Sequence, residues 1–249
     1  MHETSVMQPE LPNFIGLLAK QFPDSAFIQH LVLWENVFFS LIIAVLLSVL
    51  AYLAARKTTA IPHGLQNVAE AIVGGLDAFV CGMLGSKGRR YTPFIGTLFI
   101  YILFMNLSGL VPFLKPSTSS WSTTLALGIC VFVYVQYTAI KELGFFGYVD
   151  HLAGKPRGIF AFTLVIPILL FALHVLSELI KPISLSLRLR SNIWGDDVLL
   201  AVLAGFGLGG LPLFLFNMLM ALLTAVVQTF VFCLLTTIYF ALVMEEEHS

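Results

Sequence analysis

The chain has 249 residues, of which 58% are hydrophobic and only 11% are charged, whereas an ordinary soluble domain carries roughly 25% charged residues. This composition excludes a soluble globular fold and predicts an integral membrane protein. The formal net charge of −1 and the scattered basic residues also exclude nucleic-acid binding. The three cysteines lie far apart in apolar segments, so we expect neither a disulfide framework nor a metal site.

Long apolar runs divide the chain into candidate membrane spans, because a bilayer core of about 30 Å needs about 20 helical residues. We expect residues 1–30 to form an extracytoplasmic segment and residues 31–249 to form a single membrane domain. The predicted spans cover about residues 35–55, 93–114, 121–141, 159–204 and 212–244. The last two are longer than one crossing requires, so we expect both helices to tilt strongly.

One further segment, residues 65–84, is too polar for a lipid-facing span. It contains Gln66, Asn67, Glu70 and Asp77, and it is predicted to be an interfacial amphipathic helix. The predicted fold class is therefore all-α integral membrane, with about five transmembrane helices and one interfacial helix.

The basic residues predict the orientation of the chain. Eight of them flank residues 65–84 or lie in the loop before the fourth span, and two lie in regions of the opposite side. The side with more Lys and Arg is cytoplasmic by the positive-inside rule. We therefore expect the N-terminus on the outer side and, after an odd number of spans, the C-terminus in the cytoplasm.

The fourth span carries polar and charged residues that lipid alone would not tolerate. Between residues 170 and 200 they are His174, Glu178, Lys181, Arg188, Arg190, Asn192, Asp196 and Asp197. An arginine in mid-bilayer costs roughly 2.5–3.5 kcal/mol on insertion scales, so such groups face protein or water and mark an ion path. At about 100° per residue, His174, Lys181 and Asn192 share one face with Arg188. A snorkelling side chain, or a helix kinked by Pro182, explains Lys181 equally well.

Titratable groups lie on both sides of Arg188 along the helix axis. Glu178 is about 15 Å to the cytoplasmic side and Asp196 about 12 Å to the outer side. On the helical wheel Asp196 lies about 80° and Asp197 about 180° from Arg188, so at most one of them lines the same wall unless the helix bends. Arginine keeps its proton, whereas Asp, Glu and His relay one. This order predicts two proton half-paths separated by a fixed cation, with a mobile carboxylate of another chain carrying the proton between them.

The residues around Arg188 resemble the ATP synthase subunit a family, whose penultimate helix contains a Ser-Leu-x-Leu-Arg-Leu-x-x-Asn element. The matching segment is Ser184–Asn192, Ser-Leu-Ser-Leu-Arg-Leu-Arg-Ser-Asn. Residues 61–70, 106–112 and 123–127 are also similar to that family, as are Gln228 and Tyr239 in the last helix. The resemblance covers most of the chain from about residue 30.

The resemblance implies roles for individual residues. It implies that Arg188 faces the carboxylate of a rotating c-ring, and that Gln228 on the antiparallel last helix lies near it. Asn192 takes the place of a polar residue of the outer half-channel. Asp197 aligns with that channel's acidic residue, although the wheel geometry favours Asp196, so both are retained as candidates.

On the cytoplasmic side, the resemblance implies that His174 belongs to the inner half-channel, with Glu178 beside it on the exit path. An alternative interpretation makes His174 and Glu178 a purely structural hydrogen-bonded pair at i,i+4. The resemblance also implies a non-catalytic subunit that couples proton flow to ATP synthesis, since the chain has no GxxxxGK[ST] phosphate loop.

The implied partners are the c-ring, against which the two long helices form a hairpin, b-type peripheral stalk subunits, the lipid bilayer and the transported protons. No cofactor is implied. The implied location is a bacterial plasma (inner) membrane.

The sequence departs from the family pattern at two places. Arg190 and Ser191 replace the usual Phe-Gly before the asparagine, so a second arginine lies about 160° from Arg188 and requires its own partner, either Asp197 or another subunit. Ala221 stands where some family members carry an ionisable residue.

Two other classes of protein account for parts of this pattern. A secondary transporter with a central arginine for an anionic substrate predicts internal repeats and broken helices, which the sequence does not show. A non-conducting membrane scaffold leaves the intramembrane charges unexplained.

Overall fold

The structure is a computed structural model that describes residues 34–56, 64–111, 114, 116–152 and 162–246, together with residues 21 and 32. Within these ranges the chain forms helices and no strand, which confirms the predicted all-α fold class. The expected N-terminal segment 1–30 lies outside the described residues except for residue 21.

Six α-helices make up the described chain. They are α1 (Glu35–Ala55), α2 (Leu65–Leu84), α3 (Thr92–Ser108), α4 (Trp121–Leu152), α5 (Phe162–Gly205) and α6 (Leu211–Glu246), with 3₁₀ turns at Gly85–Arg90, Ser117–Ser119 and Gly207–Gly210. All except α3 are long and apolar enough to cross a membrane. Helix α2 meets that criterion too, so its interfacial placement remains a prediction.

Helices α3 and α4 differ in length from the predicted spans. Helix α3 has 17 residues and ends at Ser108, because the backbone N–H of Gly109 turns back to the carbonyls of Asn106 and Leu107. Helix α4 continues past residue 141 to Leu152 across a kink at Gly144, whose φ of 73° lies in the left-handed region that glycine adopts readily.

Helices α5 and α6 form a long hairpin. They contain 44 and 36 residues, or about 66 Å and 54 Å of helix, so neither fits a bilayer core of about 30 Å without tilting or projecting beyond it. The turn Gly207–Gly210 joins them, and such a short connection makes neighbouring helices antiparallel. Helix α5 packs against both α4 and α6, and α3 packs against α6.

The core lies on the inner side of this hairpin. Leu185 and Leu189 of α5 and Phe232 of α6 are almost fully buried, as are Ile95 and Ile102 of α3. The outward side of the hairpin exposes large apolar side chains to the surroundings: Leu176, Ile180, Leu187, Leu219, Leu223 and Val227. We call this surface the hairpin face.

Candidate functional site

Arg188 lies on the hairpin face. Its neighbours Leu185 and Leu189 point into the core with 1% and 0% exposure, whereas Arg188 is exposed, as are Ser184 and Asn192 one turn to either side. Arg188 forms no ion pair or hydrogen bond with any described residue. An unpaired cation on an apolar, membrane-depth surface requires water or an opposite charge from outside the chain.

Asn192 and Gln228 join the two helices of the hairpin one turn beyond Arg188. The Asn192 side-chain amide donates to Gln228 Oε1 at 2.7 Å. Gln228 is only 4% exposed, so its amide reaches Asn192 from inside the bundle. The structure therefore brings together Gln228, which was expected near Arg188, and Asn192, which was expected in the outer half-channel.

A buried amide on α3 extends this polar region. Asn106 is 3% exposed and donates to Thr229 Oγ1 at 3.1 Å and to the Ala225 carbonyl at 3.5 Å. Asn106 Oδ1 and Gln228 Nε2 are both buried without a hydrogen-bond partner among the described residues. Asn106 Oδ1 is a hydrogen-bond acceptor and Gln228 Nε2 is a donor. Together the two amides form a polar region within an apolar core. Asn106 is not among the site residues predicted from the sequence, although a lone amide in an apolar run was the available signal.

Asp196 and Asp197 are both partly buried toward the C-terminal end of α5. Asp196 has one carboxylate oxygen buried without a partner among the described residues. Asp197 is already engaged in an interaction. Their surroundings therefore differ in the structure.

The N-terminal half of α5 carries a cluster around Glu178. Gln136 of α4 donates to Glu178 Oε2 at 2.8 Å, and Lys181 pairs with Glu178 Oε1. Glu178 and Lys181, together with Tyr239, help to line a small cavity between α4, α5 and α6. His174 Nδ1 lies 3.0 Å from the Leu170 carbonyl oxygen. The sequence interpretation missed Gln136, because no local pattern relates it to a residue 42 positions away.

Arg190 has a partner that the sequence did not indicate. Its guanidinium carbon lies 5.5 Å from the centre of the Trp121 ring at the start of α4, a cation–π geometry. Its Nε is buried without a hydrogen bond to any described residue. The contact found for Arg190 is thus with Trp121. Arg190 is partly buried and Arg188 is exposed, so the two arginines occupy different sides of α5.

Fold and site together define an all-α, multi-pass membrane protein. Its central arginine has no ion pair or hydrogen bond among the described residues and lies between two groups of titratable side chains. The chain belongs to the ATP synthase A chain family, whose model matches residues 37–241.

Individual relatives agree with this assignment. The chain is 42% identical to ATP synthase subunit a of Protochlamydia amoebophila, over 96% of this chain and 91% of that protein. It is 38% identical to ATP synthase subunit a 3 of Pelobacter propionicus, with coverages of 86% and 89%, and 34% identical to ATP synthase subunit a of Helicobacter pylori, with coverages of 82% and 87%.

These findings confirm the predicted family and, with it, proton translocation in the Fo sector of ATP synthase. They give no support to the secondary-transporter alternative. The chain is a multi-pass protein of the bacterial plasma membrane and a membrane subunit of a complex with other ATP synthase subunits.

Proposed function

We propose that protons cross through two offset half-channels that meet at Arg188, where the hairpin face lies against a ring of c subunits. The observation that carries this proposal is that Arg188 is exposed on the apolar hairpin face and has no ion pair or hydrogen bond among the described residues. A carboxylate on a rotating partner supplies the opposite charge that such a cation requires. Because the partner moves, the arginine stays available for the next carboxylate.

The outer half-channel delivers a proton to the ring. Its proposed members are Asp196 or Asp197, followed by Asn192 and its partner Gln228. The carboxylates relay the proton, while the bonded amides hold a polar path open beside the apolar core. The ring carboxylate takes up the proton there, becomes neutral, and turns away through lipid without an exposed charge.

The inner half-channel releases the proton to the cytoplasm. When a protonated ring carboxylate reaches Arg188, the cation favours its ionised form and the proton leaves. Glu178 and His174 relay it toward the cytoplasmic side. Since an arginine does not give up its own proton, Arg188 also blocks a direct path between the two half-channels.

The proposed orientation places the N-terminus outside and the C-terminus in the cytoplasm. Support comes from one end of the bundle, where Arg90 lies 3.6 Å from Glu142 of α4 and Arg89 lies 3.8 Å from Asp77 of α2. Lys141 is exposed nearby in sequence to Glu142. Basic residues of the turn Gly85–Arg90 and of α4 therefore lie at the end that the positive-inside rule assigns to the cytoplasm.

The chain is proposed to be non-catalytic, with ATP chemistry located in partner subunits. A static subunit beside a turning ring must be held against rotation, so we propose b-type peripheral stalk subunits as a second partner. The c-ring contacts the hairpin face, so the stalk attaches to another side of the bundle.

Asn192→Leu tests the outer half-channel. The variant removes the amide that donates to Gln228 Oε1 and leaves a buried acceptor unpaired, which costs about 1–3 kcal/mol. We expect ATP-driven proton pumping in inverted vesicles to fall about tenfold, with Asn192→Gln as a control that retains the amide and most of the pumping. Wild-type pumping by Asn192→Leu, in vesicles with normal amounts of the complex, would remove Asn192 from the path.

A further inference from the structure

We infer that Lys181 is a positioning residue for proton release, whose ammonium group holds the Glu178 carboxylate in place beside the cavity between α4, α5 and α6. This inference rests on the proposed function, in which Glu178 lies on the inner half-channel. From its sequence position, Lys181 could be a snorkelling side chain or part of a helix kinked by Pro182. The inference gives it a part in proton flow instead.

The carboxylate of Glu178 is held at both oxygens. Lys181 pairs with Oε1 from the same helix, and Gln136 donates to Oε2 from α4 at 2.8 Å. Two donors on two helices define one orientation of the side chain, which neither donor alone would do. The side chains of Lys181 and Glu178 keep 25% and 24% of their surface exposed, so the pair borders open space and can exchange protons with it.

Lys181 is oriented toward the protein and not along the helix toward a membrane surface. Its Nζ lies 5.3 Å from the centre of the Tyr239 ring on α6, a cation–π distance, and the side chain lines the cavity. A snorkelling lysine would extend its ammonium away from such contacts. The contacts with Glu178 and Tyr239 therefore argue that the charge of Lys181 acts within the bundle.

The cavity extends along α5 toward the central arginine, since Leu185, which helps to line it, stands three residues before Arg188. Tyr239, whose ring lies near Lys181 Nζ, also lines the cavity. Proton relay depends steeply on the position of the accepting group, and a displacement of about 1 Å costs up to about a hundredfold in rate in enzymes. Loss of the Lys181 contact frees Glu178 Oε1 and lets the side chain adopt other rotamers.

The test uses complete ATP synthase in inverted vesicles and measures ATP-driven pumping per assembled complex for Lys181→Met, Lys181→Arg, Glu178→Gln and the double variant Glu178→Gln/Lys181→Met. Methionine keeps the length and packing of the side chain but removes its charge. We expect Lys181→Met to lower pumping by about three- to tenfold and Lys181→Arg to retain most of it. In the Glu178→Gln background, Lys181→Met should cause no further loss, because the two residues act as one unit.

Two results would overturn the inference. One is wild-type pumping by Lys181→Met, and the other is an equal loss from Lys181→Met with and without Glu178. Where Glu178→Gln leaves no flow to measure, the comparison of Lys181→Met with Lys181→Arg decides, since equal losses in both exclude a role for the charge. Arg188→Ala is run in parallel: if it pumps normally, the proposed function fails, which is a result separate from any outcome at Lys181.

Discussion

Replacing Arg188 with alanine is expected to abolish ATP-driven proton pumping while the complex still assembles. Arg188 is exposed and bonds to no described residue, so its removal disturbs no packing within the chain. What is lost is the fixed cation that draws the proton off the ring carboxylate. A pair of unit charges at about 4 Å near a protein surface is worth about 4 kcal/mol, so we expect pumping to fall by about a hundredfold or more.

Arg190→Ala is the matched control, because it removes an arginine two positions away on the same helix. Arg190 stacks on Trp121, a contact worth about 0.5–2 kcal/mol, so the variant should lower the amount of complex modestly. Pumping per complex should change by less than about twofold. Normal pumping by Arg188→Ala, or an equal loss from both variants, would contradict the assignment of Arg188 as the ring-facing cation.

Gly128→Val is expected to have the largest effect on assembly. Helix α4 approaches α5 closely at Gly128, where an added Cβ would lie 2.7 Å from the Pro182 carbonyl oxygen and 3.5 Å from Ser186 Cβ. The oxygen belongs to the backbone and cannot turn aside, so a branched side chain must push the helices apart. Overpacking of this kind costs about 1–3 kcal/mol, and we expect at least about a fivefold loss of assembled complex on a native gel.

A glycine with free space around it provides the control for this prediction. A Cβ added at Gly82 of α2 would meet no atom within 4 Å, so Gly82→Val should leave assembly close to wild type. Equal amounts of complex for Gly128→Val and wild type would show that α4 and α5 do not pack at this point as described. The cavity beside Glu178, which Gly128 also lines, would then need a different geometry.

The helices and the face of the central arginine followed from local patterns in the sequence. Hydrophobic length predicted where α5 and α6 lie, and the helical period predicted that Arg188 and Asn192 share a face, since both depend only on neighbouring residues. The ends of α3 and α4 did not follow, because hydropathy does not register the turn at Gly109 or the kink at Gly144.

Contacts between distant parts of the chain also lay beyond the sequence interpretation. The bond from Gln136 to Glu178 spans 42 residues and that from Asn106 to Thr229 spans 123. Each depends on how whole helices pack, which no pattern along one helix contains. For the same reason Trp121 was not identified as the partner of Arg190, since the two residues lie on different helices.

In the proposed mechanism, one aqueous path lies on each side of Arg188 and the two paths stay separate. Side-specific labelling of cysteines tests this separation most directly. The native cysteines, Cys81, Cys130 and Cys233, are first replaced by alanine. Single cysteines are then introduced in the intact complex by Asn192→Cys, Asp196→Cys, Asp197→Cys, His174→Cys or Glu178→Cys. A membrane-impermeant thiol reagent is applied to right-side-out and to inverted vesicles, and labelling of the chain is measured by mass spectrometry.

If the two paths are separate, we expect Asn192→Cys and at least one of the two aspartate variants to react only in right-side-out vesicles. The variants His174→Cys and Glu178→Cys should react only in inverted vesicles. Labelling of any of these positions equally from both sides would show one continuous path past Arg188, and that result would contradict the account.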